Sequence, residues 1–422
     1  MDLFTRESLR PLCGRLPRSF VCLLPTHTRL TKTDPPQSLL APLALKSYRG
    51  RPNFVIDPQT GNYARLKALG VRHIQIVLSD HVGYPPAAGH WPGDGGNFSL
   101  LDIAIEELMN ATATMQDVEW DVWEEPNGAP HNFWQRSLGQ FFMVWTHAVR
   151  KIRSLRPAAT IVGPSANTFN RSFLAAVLAH ANTTDTLPDV LSWHELDGTA
   201  NGSLIESHVG AAAALAKPFG IDRFSINEIV PLGFNTPPNP AIHVDYLASL
   251  SRSRVDSAMH SCWDGDECGI SNCIPGVLDG LIACHGQCGQ CDDTKKRCTW
   301  FVYKAFAKQI GAATLASVSH IYGDAIATID SAGIVRALLS YSAGGRPGTG
   351  DARTISVAFK NVGHGMVVSA VRIPAAGWAT NFTLVALLDN VTVAAPSEGE
   401  PMVLRLLVEP DSALAITMRP VS

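Results

Sequence analysis

No segment of this 422-residue sequence supplies the roughly 18 uninterrupted apolar residues of a membrane-spanning helix, because charge, proline or glycine breaks every candidate run. Membrane insertion is therefore not expected. A charge excess is also missing: 34 Lys and Arg stand against 37 Asp and Glu, for a net charge of -3. The basic residues are scattered, so no cationic field is available to hold a phosphate backbone, and nucleic acid is not an expected partner. The chain has no Gly-rich phosphate loop after a strand, no His-Glu-x-x-His and no Gly-x-Ser-x-Gly elbow, so neither a cofactor nor a metal is expected. What it does have is 46% hydrophobic against 17% charged residues, enough to bury a large core. That composition excludes disordered and collagen-like chains.

Cysteine is sparse over most of the chain and dense in one part. Seven of the nine cysteines fall between Cys262 and Cys298, which predicts a disulfide-stapled loop over 264–298. Zinc is the alternative, with Cys284, Cys288, Cys291 and Cys298 as four thiolates, but the spacing lacks the two Cys-x-x-Cys knuckles of ordinary zinc modules. Cys262, in an apolar run, is expected to be the unpaired one. Seven Asn-x-Ser/Thr sequons, at Asn97, Asn110, Asn170, Asn182, Asn201, Asn381 and Asn390, exceed the roughly two expected by chance and point to a glycosylated, secreted protein. The start of the chain carries no clean secretory signal, since Arg6, Arg10, Arg15 and Arg18 precede only the short run Phe20 to Leu24. Residues 1–45 are read as a poorly defined N-terminal segment.

From 46 to 312, short β-rich runs alternate with amphipathic helical stretches, the pattern of a parallel sheet with crossover helices. Strands are predicted over His73–Leu78, Val118–Glu124, Thr160–Ser165, Val190–Glu195, Phe224–Ile229 and Val255–Cys262, with Asn53–Ile56 as a candidate first strand. The clearest helix runs from Trp134 to Leu155, where Leu138, Phe141, Phe142, Trp145, Val149 and Ile152 recur at spacings of three and four. Only one helix separates the strand at 73 from that at 118, so one β/α unit of an eight-unit barrel is abbreviated or missing. Residues 313–422 change to period-two β runs with Gly, Pro and Asp turns, which predicts an antiparallel β-sandwich. The expected architecture is a (β/α)8 TIM barrel followed by that sandwich.

Two predicted strands end in carboxylates, where barrel enzymes place their chemistry: Trp120-Asp121-Val122-Trp123-Glu124-Glu125-Pro126-Asn127, and Phe224-Ser225-Ile226-Asn227-Glu228. A pair of carboxyl groups facing one pocket is what glycosidic bond cleavage requires, one to protonate the leaving oxygen and one to attack or stabilise the anomeric carbon. The first segment resembles the Trp-x-Asn-Glu-Pro-Asn signature at the end of strand four in clan A glycoside hydrolases, and the second resembles the strand-seven nucleophile of that clan. Ile161-Val162-Gly163-Pro164-Ser165, Leu191-Ser192-Trp193-His194-Glu195-Leu196 and Ser261-Cys262-Trp263 are similar to segments of its β-xylosidase and α-L-iduronidase branch.

The resemblance covers about residues 60 to 310. It implies a retaining glycosidase acting on a carbohydrate substrate through a covalent glycosyl-enzyme intermediate, with Glu125 as acid/base and Glu228 as nucleophile. A catalytically impaired carbohydrate-binding pseudoenzyme on the same barrel is the alternative, motivated by Glu124, which stands where the clan has Asn. Further substrate-binding candidates are Glu124, Asn127, His194, Glu195, Asn227, Trp263, Asp80 and His81, with Asn167 a weaker one. The sugar, the anomer and the oligomeric state are not specified by the sequence.

Overall fold

The computed structural model describes residues 2–4, 37–56, 62–83, 86, 89–128, 133–196, 202–229, 238–253, 255–260, 281, 296–309, 312–315, 323–342, 351–360, 362–377, 379 and 381–421. Apart from Leu281, the segment from Cys262 to Cys291, with Trp263 and most of the cysteine-rich loop, lies outside them. Strand β1 (Asp2–Phe4) and helix α1 (Gln37–Leu40) precede the barrel. Its seven parallel strands are β2 (Ser47–Gly50), β3 (His73–Val77), β4 (Val118–Asp121), β5 (Thr160–Ala166), β6 (Val190–Glu195), β7 (Phe224–Ile229) and β8 (Ser257–His260), hydrogen-bonded in that spatial order. The first and last strands approach each other with Cα atoms within 8 Å, so the sheet is nearly closed.

Among the described residues one unit of the eightfold pattern is absent: β3 pairs directly with β4 through Ile74 opposite Val118 and Ile76 opposite Trp120. The candidate first strand at 53–56 is corrected by the structure: Pro52–Ile56 is helix α2, and the strand lies just before it. Proline's fixed φ and missing N–H suit the first turn of a helix. Ser47-Tyr48-Arg49-Gly50 carries too little apolar alternation to be recognised as a strand, since its arginine faces a polar interior.

Helices α3 (Tyr63–Ala68), α4 (Ser79–Val82), α5 (Ser99–Ala111), α6 (Leu138–Leu155), α7 (Arg171–Thr183), α8 (Ser203–Ala216), α9 (Pro240–Arg252) and α10 (Cys298–Ala307) complete the barrel. Helix α6 starts four residues later than its periodicity suggested, at the N-cap Ser137, whose hydroxyl accepts from the Gln140 N–H. It buries Phe141, Val144, Trp145, Ala148, Val149 and Ile152. Trp145 fits because β5 has glycine beneath it: a Cβ on Gly163 would lie 2.4 Å from the indole.

The C-terminal part consists of β9 (Ala313–Leu315), β10 (Ala325–Ile329), β11 (Val335–Tyr341), β12 (Arg353–Phe359), β13 (Met366–Ile373), β14 (Val385–Val393), β15 (Met402–Val408) and β16 (Ser412–Pro420). Six of them form one antiparallel sheet, β14-β13-β16-β11-β10-β9, while β12 and β15 form a second with β1. The two sheets share one core: Val357, Phe359, Leu404 and Leu406 pack with Leu339, Val368 and Ile416. Alternation along β15 is complete, with Met402, Leu404, Leu406 and Val408 inward and the residues between them exposed.

The sandwich is docked on the barrel. Ile326, Leu338, Ile373 and Ala413 join the barrel's own core, Phe301 of α10 meets Phe382 edge to face, and Arg252 of α9 ion-pairs with Asp324.

A candidate active site at the strand ends

The barrel interior is polar along its whole length, and its layers explain where the carboxylates go. Near the N-terminal ends, Gln75 donates to Glu119 at 3.1 Å and to Ser225 at 3.2 Å, and Ser257 donates to Ser225 at 2.8 Å. One layer up, Asn227 donates to Asp121 at 3.1 Å and to Ser165 at 2.8 Å, while Ser165 in turn donates to Asp121 at 2.8 Å. The uppermost layer is Glu124, Glu125, His194 and Glu228, in which one oxygen or nitrogen from each residue lies within 4.8 Å of the others. These four residues come from three strand ends, β4, β6 and β7. The two glutamates that the sequence paired across 103 positions of chain are therefore neighbours in space.

Two backbone irregularities aim them. The ladder between β6 and β7 shifts register after Trp193, so that His194 lies opposite Glu228 instead of Asn227. Such a bulge next to a site re-directs side chains. On β4 the chain turns sharply at Glu125, whose φ is 38°, left-handed backbone that costs a non-glycine residue about 1–2 kcal/mol. The turn is pinned by the Glu125 N–H donating to the Ser165 carbonyl at 3.1 Å and the Gly128 N–H donating to the Glu125 carbonyl at 2.9 Å. Consecutive glutamates thereby point to different partners. Glu124 reaches across to Arg49, and Glu125 reaches His194 Nδ1 at 2.8 Å.

Arg49, on β2, organises the cluster and was not singled out by the sequence. Fully buried, it bonds Asp121 through Nε at 2.6 Å, Glu124 through Nη2, and Glu228 Oε1 through Nη1 at 3.3 Å. Burial alone would lower its pKa, but Asp121, Glu124 and Glu228 together hold it well above the usual value. Its only sequence-level signal was a charged residue in a short run flanked by glycine.

Burial pushes Glu125 up, and the charges of Glu124 and Glu228 push the same way, while the hydrogen bond and charge of His194 pull it back. The net direction for Glu125 is upward, so its surroundings favour the protonated form. Burial also pushes Asp121 up, to about 6, against the pull of Arg49. His194 would be lowered by its complete burial, yet Glu228, followed by its bond to Glu125, raises it. It also lies 3.7 Å from Glu228 Oε2, between the two glutamates.

The remaining sequence candidates fall in other places. Asn227 sits one layer below the cluster, bracing it. Glu195 alternates outward from His194 and accepts from Trp193 Nε1 at 2.7 Å, with His208 of α8 2.9 Å away. His81 faces Glu107 on α5 at 2.8 Å. Neither Glu195 nor His81 belongs to the cluster; strand alternation and the turn of α4 point them at the helical layer. Asp80 pairs with Arg51 at 3.3 Å on the rim. Asn127 accepts from the Asn167 N–H at 3.0 Å, tying the loop after β4 to that after β5. Trp263 lies outside the described residues.

Three carboxylates and an imidazole so close together are a donor set that can hold a cation. Here Arg49 is already the cationic partner of both Glu124 and Glu228.

No family model matches the chain. Among curated proteins, a 3-O-beta-L-arabinopyranosyl-alpha-L-arabinofuranosidase from Bifidobacterium pseudocatenulatum is 34% identical over 77 residues, 18% of this chain, and the match spans 8% of that relative's length. Solved structures match over nearly the whole chain. A protein of Neocallimastix frontalis superimposes with a TM-score of 0.72 at 20% identity, covering 96% of both chains. A glucosidase from Croceicoccus marinus gives 0.70 at 13% identity, with 98% of each chain covered. A monomeric beta-xylosidase from Caulobacter crescentus gives 0.63 at 14% identity, covering 98% of this chain and 99% of that one. The chain shares their fold: a barrel of the (β/α)8 type carrying an antiparallel β domain.

Proposed function

We propose that this chain is a retaining glycoside hydrolase acting on a carbohydrate substrate, with Glu125 as acid/base and Glu228 as nucleophile. The observation that carries the reading is the convergence of the two glutamates, with carboxyl oxygens within 4.8 Å of each other and His194 between them. Carboxyl groups about 5 Å apart suit attack on the anomeric carbon, whereas inverting enzymes leave roughly 6.5–9.5 Å for a water molecule. The glycosidase names of the fold relatives support the same reaction class.

In the first half-reaction a Glu228 oxygen bonds to the anomeric carbon as the carbon–oxygen bond to the leaving group breaks, and Glu125 transfers its proton to the departing oxygen. The products are a glycosyl ester on Glu228 and a free alcohol. In the second, Glu125, now a carboxylate, takes a proton from water as the water oxygen attacks the same carbon and Glu228 leaves as carboxylate. The intact acid and nucleophile favour this reading over a binding-only protein, even with glutamate at 124. The test is peptide mapping after incubation with a 5-fluoroglycosyl fluoride. We expect a mass increment on the peptide carrying Glu228, and label on another carboxylate would overturn the assignment.

We further propose that the protein passes through the secretory pathway as a glycoprotein. All six sequon asparagines among the described residues are exposed, which supports their use as acceptors. A mobility shift on treatment with a peptide N-glycosidase is expected for the protein from a secretory host.

A further inference from the structure

We infer that Asp121 is a positioning residue for the nucleophile: it engages Arg49 from below and keeps the guanidinium's hold on Glu228 loose, so that this carboxylate stays free to attack. The inference rests on the glycosidase reading, which gives Glu228 two tasks, attack on the anomeric carbon and departure from it. Neither half-reaction as written above uses Asp121.

Asp121 is fully buried at the end of β4, one layer beneath the glutamates. Three donors from three other strands converge on its carboxyl group: Arg49 Nε of β2 at 2.6 Å, Ser165 Oγ of β5 at 2.8 Å and Asn227 Nδ2 of β7 at 3.1 Å. An ionised carboxylate is the acceptor-only form that suits three such donors, and it is thereby fixed in place. What it fixes in turn is Arg49. The Nε edge of a guanidinium carries a single N–H, and with that committed to Asp121 the rigid fork presents its Nη groups to Glu124 and Glu228. The bonds are unequal. Arg49 lies 2.6 Å from Asp121 but 3.3 Å from Glu228, beyond the roughly 2.7–2.9 Å of a strong charge-assisted bond.

That inequality has a chemical consequence. A cation bound tightly to Glu228 stabilises its carboxylate form. It slows the first half-reaction, in which the carboxylate gives up its charge to a bond with the anomeric carbon, and it speeds the second, in which the charge returns as Glu228 leaves. By holding Arg49 and opposing its charge, Asp121 weakens that stabilisation and favours attack. Removing the negative charge at 121 lets the guanidinium close on Glu228 and moves the two half-reactions in opposite directions. A side chain that only packs the barrel would, on removal, slow both.

The experiment reads the two steps separately in the full-length protein and in Asp121→Asn, Asp121→Ser and Asp121→Glu, each checked for folding by circular dichroism. The probes are 2,4-dinitrophenyl 2-deoxy-2-fluoroglycosides of xylose, glucose and arabinose. The rate of inactivation measures attack by Glu228, and the rate at which activity returns after excess reagent is removed measures its departure. The work is done at pH 7.5, above the value of about 6 to which burial pushes Asp121, and dinitrophenolate leaves without a proton from Glu125. In Asp121→Asn and Asp121→Ser we expect inactivation to slow by about tenfold and recovery to quicken by about threefold. Asp121→Glu, which keeps the charge, should hold the ratio of the two rates near that of the wild type. Both rates falling together in Asp121→Asn and Asp121→Ser, or neither moving, would overturn the inference and leave the glycosidase reading standing. Probes that label no carboxylate of the wild type would overturn the glycosidase reading and the inference with it.

Discussion

Two adjacent residues with the same side chain have opposite roles, and their surroundings decide which is which. Glu124 is anchored to a guanidinium, while Glu125 is held by an imidazole and buried, and that burial raises its pKa. Because His194 pulls that pKa down, replacing it with a neutral donor should let Glu125 keep its proton to higher pH. His194→Gln is therefore expected to move the alkaline limb of kcat/KM upward, measured by pH–rate profiles with one aryl glycoside. Arg49 is the residue whose loss the cluster tolerates least. Arg49→Met leaves Asp121, Glu124 and Glu228 buried together without their cation, and a cost of about 3–5 kcal/mol in unfolding free energy is expected by denaturant titration. Arg49→Lys should recover only part of it, because a single ammonium cannot bond three carboxyl groups in the fork geometry of a guanidinium.

At the scale of elements, each barrel strand hands its side chain to the site through a local device: the turn at Glu125, the bulge after Trp193, and asparagine or serine N-caps that start α6, α7 and α9 in register. Helix α9 has a second task, since Asp245 accepts from Ser340 of β11 and joins barrel to sandwich. Burial pushes Asp245 up from 3.8 to about 7. The folded state then binds a proton over about pH 4 to 7 that the unfolded chain has released, so this group's contribution to stability declines as pH rises through that window. Asp245→Asn is expected to match the wild type near pH 4 and to exceed it above pH 7, as read by thermal unfolding at several pH values.

For the molecule as a whole, the sandwich acts as part of the barrel's wall. Ile326, Leu338, Ile373 and Ala413 belong to the same buried cluster as the helices α9 and α10. Ending the chain at residue 312 would uncover that apolar face, and we expect a product that aggregates or unfolds at much lower temperature, judged by size-exclusion chromatography and calorimetry. Among the described residues the barrel nearly closes with seven strands. The loss of one unit brings β3 directly against β4, yet leaves the strand ends that carry Glu124, Glu125, His194 and Glu228 in sequential order around the sheet.

The strand and helix rhythm, the change to period two after 312, the missing unit and the two strand-end glutamates were all legible in the chain, because each is a local pattern whose spacing follows from backbone geometry. The first strand was not, since its defining residue is an arginine that only a polar interior explains. Nor could spacing reveal that Arg49 meets Asp121, Glu124 and Glu228, partners 72, 75 and 179 positions away. The outward turn of Glu195 and His81, and the divergence of Glu124 from Glu125, likewise depend on strand register, a bulge and one left-handed residue. Sequence fixed which chemical groups the protein owns, and closing the sheet decided which of them share a low-dielectric space, where proximity sets charge and charge sets function.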